Sequence, residues 1–260
     1  MKQRLLNIGK NSLKRKNLSV MAHKVLTRFK ERSSEQQEEV REWCASKVEP
    51  YISFLQSLDA ELWLETQNTC SELKTSAEKK LQALGKDLGG GGNYHILYFM
   101  TRYLQAKEVV ETGVAAGWSS QAILTALQKN ENNGHLYSSD FPYFRYENPE
   151  SLVGYVVEDE LKENWSLYID GDENNLPRIE KDIQAIDIFH YDSDKSYRGR
   201  EYAYNCMAPY FTENTLIIFD DIQDNFHFRD WVEKTGHSYK IFEFENKFVG
   251  VAGGFLEKTE

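Results

Sequence analysis

The sequence predicts a doubly wound α/β domain built on a mostly parallel sheet. Between residues 93 and 254, short apolar runs typical of buried strands alternate with segments of helical periodicity. Such alternation is typical of parallel strands joined by right-handed crossovers. The last apolar stretch, 239–254, divides at Glu245-Asn246 into two strands and is expected to add one antiparallel strand. We therefore predict a mostly parallel, seven-stranded sheet with an antiparallel C-terminal strand and an N-terminal helical extension.

The N-terminal extension is predicted to be helical. Residues 34–84 are rich in Glu, Gln, Lys, Leu and Ala, and their apolar residues recur at helical spacing on both sides of Pro50. We expect two helices broken near Pro50. The tract Gly89–Gly92 cannot hold a helix, so it indicates a hinge or a loop that passes close to another part of the molecule. The predicted division is a basic segment with a helical subdomain over 1–88 and the sheet domain over 89–260.

The elements of the sheet domain follow from the apolar runs and the turns between them. Strands are predicted at 107–113, 134–140, 165–170, 185–192, 214–221 and twice within 239–254. Helices are predicted at 118–130, 149–164, 197–210 and 227–234. The carboxyl ends of the parallel strands should lie on one edge of the sheet, where open sheets of this kind bind ligands.

Charge and composition exclude some kinds of partner and indicate where the protein is located. The formal net charge is −10, yet residues 1–30 hold nine Lys or Arg and no Asp or Glu. The acidic remainder repels phosphates, so no nucleic-acid partner is expected. The basic segment is expected either to rest on the acidic body or to make weak contact with an anionic membrane. Three cysteines without a CxxC motif and the absence of a run of about 18 apolar residues indicate a cytoplasmic protein.

The first predicted strand ends in a turn of small residues. Its sequence is Glu111-Thr112-Gly113-Val114-Ala115-Ala116-Gly117-Trp118-Ser119. Small residues let the backbone approach a ligand, and the following helix points its N-terminal amides to where a carboxylate would be favoured. The spacing is GxxxG rather than GxGxxG, and no basic residue is present to meet a pyrophosphate, which weighs against a nicotinamide oxidoreductase. The alternative is an ordinary tight turn between strand and helix.

Acidic residues end the following strands. Asp140 ends the second predicted strand, where an acid typically accepts the hydroxyls of a ribose. An Asx turn before the following Phe-Pro is the alternative use of this side chain. Asp172 follows the third strand, again at a carboxyl end.

Three more aspartates end the fourth and fifth predicted strands, which are adjacent in the expected strand order. Asp192, Asp220 and Asp221 should then converge, and carboxylates that converge repel each other unless a cation joins them. Oxygen ligands without His or Cys favour Mg²⁺, with Mn²⁺ or Ca²⁺ as alternatives. Lys195 stands three residues after Asp192, where a nearby metal and sulfonium would lower its pKa enough for it to act as a base. The alternative is that Asp220 and Asp221 cap the next helix, while Asp194 pairs with Lys195 on a solvated loop.

Together these segments resemble the class I S-adenosylmethionine-dependent methyltransferases, which have a Rossmann-like fold. Within that class they look like the metal-dependent small-molecule O-methyltransferases of the catechol type and the related macrolide-sugar and cephalosporin-pathway enzymes. The resemblance is carried by VVETGVAAGWSSQAILTAL, GHLYSSDFP, IDIFHYDSDKSY and LIIFDDI, and it covers residues 90–254.

The resemblance implies a site for S-adenosylmethionine. The residues that it places around the methionine part of this cofactor are Glu111, Gly113, Gly117 and Ser119. It places Asp140 at the ribose and Asp172 near the adenine.

The resemblance also implies a catalytic metal centre. Asp192, Asp220 and Asp221 match the metal-ligand positions, and Lys195 matches the catalytic lysine of the catechol-type enzymes. Two positions depart from the pattern. The sugar-methylating relatives usually have histidine in place of Lys195, and catechol-type enzymes have asparagine in place of Asp221, so this chain adds a negative charge there.

The function expected from the sequence is transfer of a methyl group from S-adenosylmethionine to a hydroxyl of a small molecule, sugar or glycan precursor, assisted by Mg²⁺. A metal-independent methyltransferase of the same fold and a non-catalytic binding protein are the alternatives. Loss of activity with a chelator would distinguish the metal-dependent enzyme from the metal-independent one. Calorimetry with S-adenosylmethionine would distinguish both enzymes from the binding protein. The sequence identifies neither the acceptor nor the oligomeric state, and it is compatible with a homo-oligomer.

Overall fold

The computed structural model describes residues 4, 6–9 and 34–258 of the chain. The basic segment 1–30, to which the sequence assigns the membrane contact, lies mostly outside these residues. Three helices come first in the continuous part: α1 (Ser34–Lys47), α2 (Tyr51–Leu58) and α3 (Ala60–Leu84). No helix in the described part is long and apolar enough to cross a membrane.

The N-terminal helical region is broken twice rather than once. The first break, at Pro50, was predicted, whereas the second, at Asp59, was not. The Asp59 carboxylate accepts a hydrogen bond from the Leu62 amide at 2.9 Å, which satisfies one of the free amides at the start of α3. Between α1 and α2 lies a two-residue strand, β1 (Val48–Glu49), in a stretch whose apolar spacing suggested helix.

An eight-stranded sheet forms the centre of the fold. The strands after β1 are β2 (Glu108–Thr112), β3 (His135–Ser139), β4 (Trp165–Tyr168), β5 (Ile186–Tyr191), β6 (Phe211–Phe219), β7 (Tyr239–Phe244) and β8 (Lys247–Gly253). Their order in the sheet is β1-β7-β8-β6-β5-β2-β3-β4. Only β8 runs antiparallel to its neighbours, β6 and β7. The predicted Rossmann-like fold is therefore confirmed, with β1 as an additional edge strand.

Five further α-helices connect the strands: α4 (Tyr94–Tyr103), α5 (Trp118–Asn130), α6 (Asp172–Ile179), α7 (Tyr197–Met207) and α8 (His227–Thr235). The bounds of α5 agree with the prediction residue for residue. The helix α6 was not predicted, because Pro177 lies inside it and proline disfavours a helix interior.

The predicted helix over 149–164 is wrong. The chain forms two short 3₁₀ helices there, Pro149–Leu152 and Asp159–Asn164, with turns between them. The backbone amides of Gly154 and Val156 donate to the carbonyls of Ala115 and Ala116, both at 2.9 Å. These hydrogen bonds take the segment away from helical geometry and hold it against the turn that follows β2.

The core lies on both faces of the sheet. One cluster joins α2–α5 to the sheet, and the other joins α1 and α6–α8 to its opposite face. Leu55 and Trp63 from the N-terminal helices belong to the same buried cluster as Val109 and Ile188 from the central strands. The N-terminal helices therefore share a core with the sheet, and the boundary at residue 88 stays a prediction.

Candidate functional site

The carboxyl ends of β2, β5 and β6 lie side by side at one edge of the sheet. Thr112 pairs with Tyr191, and Tyr191 pairs with Phe219, each at the last residue of its strand. The residues that follow, Gly113 and Asp192 among them, are therefore neighbours. The expected adjacency of the fourth and fifth predicted strands is confirmed.

The glycines of the turn after β2 are required by contacts within the protein. Gly113 has φ +85° and Gly117 has φ +99°, both in the left-handed region that side chains disfavour. A Cβ at Gly113 would overlap the backbone carbonyl of Asp192, and one at Gly117 would lie 2.9 Å from the Cα of Gly154. From the sequence, both glycines were expected to allow the approach of a ligand, because the loops that pack against them cannot be predicted from local sequence.

Glu111 lies fully buried beneath this turn. Its Oε2 accepts hydrogen bonds from Ser120 at 2.6 Å and Ser138 at 2.8 Å, and its Oε1 lies 3.6 Å from Nδ1 of His190. Burial would lower the pKa of His190, but the Glu111 carboxylate outweighs it and raises that pKa. Glu111 therefore joins β2, β3, α5 and β5, and its contact with a cofactor stays a prediction. Ser119, also buried, lies in the first turn of α5.

Asp140 holds the turn after β2 in place. Its Oδ2 accepts hydrogen bonds from the amides of Val114 at 3.0 Å and Ala115 at 2.6 Å. A cavity of about 350 Å³ lies beside it and is lined by Arg4, Ile8, Ala115, Asp140, Phe141, Pro142, Tyr143, Phe144 and Arg145. The side chain expected at the ribose thus lines a cavity, together with Arg4 and Ile8 of the N-terminal segment.

Asp172, expected near the adenine, is the first residue of α6. Its carboxylate accepts hydrogen bonds from Ser139 at 2.6 Å and from Ser193. These contacts link the carboxyl ends of β3 and β5. Neither contact indicates where an adenine would bind, so the position of Asp172 near the adenine stays a prediction.

The three aspartates expected at the metal converge. The Lys195 ammonium contacts Asp192 and lies 2.6 Å from Oδ2 of Asp221. A Cβ placed on Gly92 would lie 2.7 Å from Oδ2 of Asp220 and 3.6 Å from Oδ2 of Asp192. The carboxylates from the ends of β5 and β6 therefore share one small space, and Lys195 lies within it.

The electrostatics of this acidic cluster (Asp192, Asp220 and Asp221) differ from one member to the next. Burial, then the charges of Asp192 and Asp221, raise the pKa of Asp220 to about 6. Burial would also raise the pKa of Asp221, but Lys195 and Lys247 hold it at about 2. Burial would lower the pKa of Lys195, yet the three carboxylates raise it above its ordinary value. Lys195 is therefore an ammonium in this arrangement, and the lowered pKa predicted from the sequence is not found.

The type and arrangement of the donor atoms decide whether the acidic cluster fits a divalent cation. In the described part of the chain, no group of three or more His, Cys, Asp or Glu side chains is arranged to hold a metal ion. However, Oδ2 of Asp220 is buried and lacks a hydrogen-bond partner among the described residues. Carboxylate oxygens are the donors that Mg²⁺ prefers. The donor atoms suit a hard cation, but Lys195 lies between two of the carboxylates, so a metal ion at this cluster stays a prediction.

The contacts of the glycine tract, Gly89–Gly92, could not be predicted from the sequence. Gly92 touches the acidic cluster, while Tyr143 and Tyr146 donate hydrogen bonds to the carbonyls of Leu88 at 2.7 Å and Asp87 at 2.8 Å. Asn93 follows the tract, fully buried, and both polar atoms of its amide lack a partner within the described residues. Four successive glycines were the only signal in the sequence that this loop passes close to the site.

Comparison with known proteins identifies the domain. Residues 110–222 match the family model of a methyltransferase domain. This match confirms the predicted enzyme class, a methyltransferase. No curated protein matches the enzyme.

Solved structures similar to this enzyme include two O-methyltransferases. The one from Bacillus cereus, in complex with SAH, has a TM-score of 0.55 at 14% identity, over 70% of this chain and 90% of that chain. TomG from Streptomyces achromogenes is involved in tomaymycin synthesis and was solved in complex with SAM. It has a TM-score of 0.52 at 15% identity, and the match covers 70% of this chain and 89% of that chain. At these identities the likeness shows the fold.

Proposed function

We propose that this enzyme transfers a methyl group from S-adenosylmethionine to a hydroxyl oxygen of a small molecule, sugar or glycan precursor, assisted by a divalent cation. The observation that carries the proposal is the convergence of Asp192, Asp220 and Asp221 beside the turn after β2. The cofactor is supported by the SAH and SAM complexes of the two similar O-methyltransferases.

The proposed cofactor site follows the rim of the sheet. Gly113, Gly117 and Ser119 would face the methionine part, because the amides at the start of α5 favour its carboxylate. Asp140 would take the ribose hydroxyls in the cavity of about 350 Å³ that it lines. The adenine would then lie toward Asp172, with Glu111 supporting the turn from below.

Asp192, Asp220 and Asp221 would hold the cation, with Mg²⁺ as the ion that suits three carboxylates best. A cation there supplies a positive charge that lowers the pKa of the acceptor hydroxyl and orients its oxygen. S-adenosylmethionine would supply the methyl group: its carbon–sulfur bond would break as the acceptor oxygen bonds to the methyl carbon, which would leave a neutral thioether. When the cation displaces it from Asp192 and Asp221, Lys195 would release one proton from Nζ to solvent, and the neutral amine would then accept the proton of the acceptor hydroxyl.

The position of Lys195 favours a second candidate, a metal-independent methyltransferase. Its ammonium already lies between Asp192 and Asp221 and supplies a positive charge where a cation would. In that case Lys195 orients the acceptor oxygen and remains protonated throughout. A chelator then leaves the rate unchanged.

Turnover of the full chain tests these candidates. We would follow formation of S-adenosylhomocysteine with catechol and sugar acceptors, with EDTA and after Mg²⁺ is restored. We expect EDTA to abolish turnover and Asp220→Asn to lower it about 100-fold or more, with little change in the affinity for S-adenosylmethionine. The control is Asp230→Asn, a partly exposed aspartate on α8. Turnover insensitive to EDTA would favour the second candidate, and the absence of saturable binding of S-adenosylmethionine would contradict both.

We also propose a cytoplasmic location and a weak contact of residues 1–30 with anionic membranes. The support is their nine Lys or Arg, with no Asp or Glu, among interspersed leucines. Co-sedimentation of the full chain with anionic vesicles would decrease when Lys14, Arg15 and Lys16 are changed to glutamate. Unchanged binding of that variant would contradict the membrane contact.

A further inference from the structure

Arg200 places a positive charge inside the protein directly behind the acidic cluster. It lies on α7 with 1% of its surface exposed. One terminal nitrogen, Nη2, donates to the backbone carbonyl of Asp221 at 2.8 Å. Its Nε and Nη1 lack hydrogen-bond partners within the described residues. Burying a charge in this way costs free energy, so the sequence is expected to keep it only where the charge has a use.

The guanidinium lies against the strands that carry the cluster. Its carbon is 5.6 Å from the ring centroid of Tyr191 and 6.0 Å from that of Phe219, where the faces of aromatic rings attract cations. Tyr191 ends β5 and Phe219 ends β6, and the two residues pair in the sheet. Asp192 and Asp220 are the next residues along the chain. A single positive charge is therefore placed behind the two strand ends that bear the carboxylates.

The hydrogen bond from Arg200 falls on a strained residue. Asp221 has φ +53° and ψ +39°, in the left-handed region, which residues other than glycine seldom adopt, although aspartate does so more readily than most. In that conformation its Oδ2 lies 2.6 Å from Lys195 and 3.3 Å from Lys247. An extended Asp221 would aim its carboxylate elsewhere, so a bond that holds its carbonyl also sets the direction of its side chain.

We propose that Arg200 is a positioning residue that holds Asp221 in the left-handed conformation and adds a positive charge behind the acidic cluster, so that the Asp221 carboxylate is already oriented when a cation displaces Lys195. This inference rests on the proposed function, because it assigns Arg200 a part in the metal centre. Side chains that are held in place before binding lose less freedom when the ion binds, and its affinity rises accordingly.

The binding of Mn²⁺ to the full chain, followed by electron paramagnetic resonance, tests the proposal. Arg200→Met removes the charge and the hydrogen bond but retains much of the volume. We expect it to weaken Mn²⁺ binding about tenfold to 100-fold and to change the affinity for S-adenosylmethionine less than about twofold. Arg200→Lys keeps the charge and should recover part of the loss. The control is Arg178→Met, because Arg178 also stacks on a ring, that of Tyr168, but lies at the surface.

The outcomes separate this inference from the proposed function. If the wild type binds Mn²⁺ and both Arg200 variants bind it equally well, the positioning role is wrong while the metal centre stands. If Arg200→Met weakens Mn²⁺ and S-adenosylmethionine equally, Arg200 only stabilises the fold and the inference is wrong. If the wild type binds no Mn²⁺, the metal-dependent function itself fails, and the role of Arg200 with it. Should Arg200→Met not fold, Arg200→Lys alone must bind Mn²⁺ more weakly than the wild type.

Discussion

Gly113 and the carbonyl group of Asp192 are packed so closely that a Cβ on Gly113 would overlap the carbonyl oxygen. The turn proposed to receive the cofactor and the loop proposed to hold the cation are therefore in direct backbone contact. A change in one of them must move the other.

Gly113→Ala should destabilise the protein and weaken cation binding together. Its φ of +85° costs about 1–3 kcal/mol for alanine, and the overlap with Asp192 adds about as much again. Gly85→Ala is the control, because Gly85 has φ +63° and open space around it. Urea unfolding and Mn²⁺ titration measure both effects. Equal destabilisation by the two substitutions would show that the contact with Asp192 is unimportant.

Gly92→Ala should affect the acidic cluster with little effect on the fold. The added methyl group would lie 2.7 Å from Oδ2 of Asp220, so either the glycine tract or the carboxylate must shift. We expect turnover to fall about tenfold. Gly90→Ala is the matched control, because a Cβ there meets nothing within 4 Å. The idea that the tract shapes the site fails if both variants turn over equally.

Lys195→Met should bind Mn²⁺ more tightly than the wild type and yet turn over more slowly. Lys195 competes with a cation for Asp192 and Asp221, so its removal should raise the Mn²⁺ affinity about tenfold. The same change removes the proposed base, so the rate at saturating substrate should fall far more than the affinity for S-adenosylmethionine. Lys195→Arg, which keeps the charge, is the control for the first effect. Full activity of Lys195→Met would show that another group takes the proton.

His227→Phe should make the protein less sensitive to acid. Burial, then the nearby Arg200, lowers the pKa of His227 from 6.5 to about 3. Between these values the unfolded chain binds a proton that the folded chain does not, so the free energy of unfolding falls as the pH drops. The contribution is about 2 kcal/mol between pH 7 and pH 5.

The experiment for His227 compares urea unfolding of the wild type and His227→Phe at both pH values. Phenylalanine keeps a ring against Tyr197 and Phe219. Its packing cost does not depend on pH and cancels in the comparison within each protein. Equal pH dependence in both proteins would mean that His227 is not the titrating group.

Several elements could be predicted because local sequence sets them. The apolar spacing of α5 fixed its bounds, and the short apolar runs located β2, β3 and β5 to within one or two residues. The alternation of strands and helices implied parallel pairing, which in turn implied that Asp192 would meet Asp220. Each step needs only the period of a pattern and the rule that parallel strands end on the same edge.

Other features could not be predicted because they depend on contacts between distant segments. A two-residue strand such as β1 has no period to detect, and it forms only because β7 offers an edge. The stretch 149–164 has helical composition, but its amides find the carbonyls of Ala115 and Ala116 instead of their own turn. The local preference for a helix is outweighed there by hydrogen bonds between residues about 40 positions apart in the chain.

Patterns in the sequence were sufficient to predict the α/β architecture, the enzyme class and the edge of the sheet at which the acids gather. That Gly92 lies against the acidic cluster, that Lys195 lies between its carboxylates and that Arg200 lies behind them follows from the packing of the folded chain. The physical reason is that periodicity records which face of an element is buried. Which charge meets which carboxylate depends on how loops far apart in the chain pack against one another.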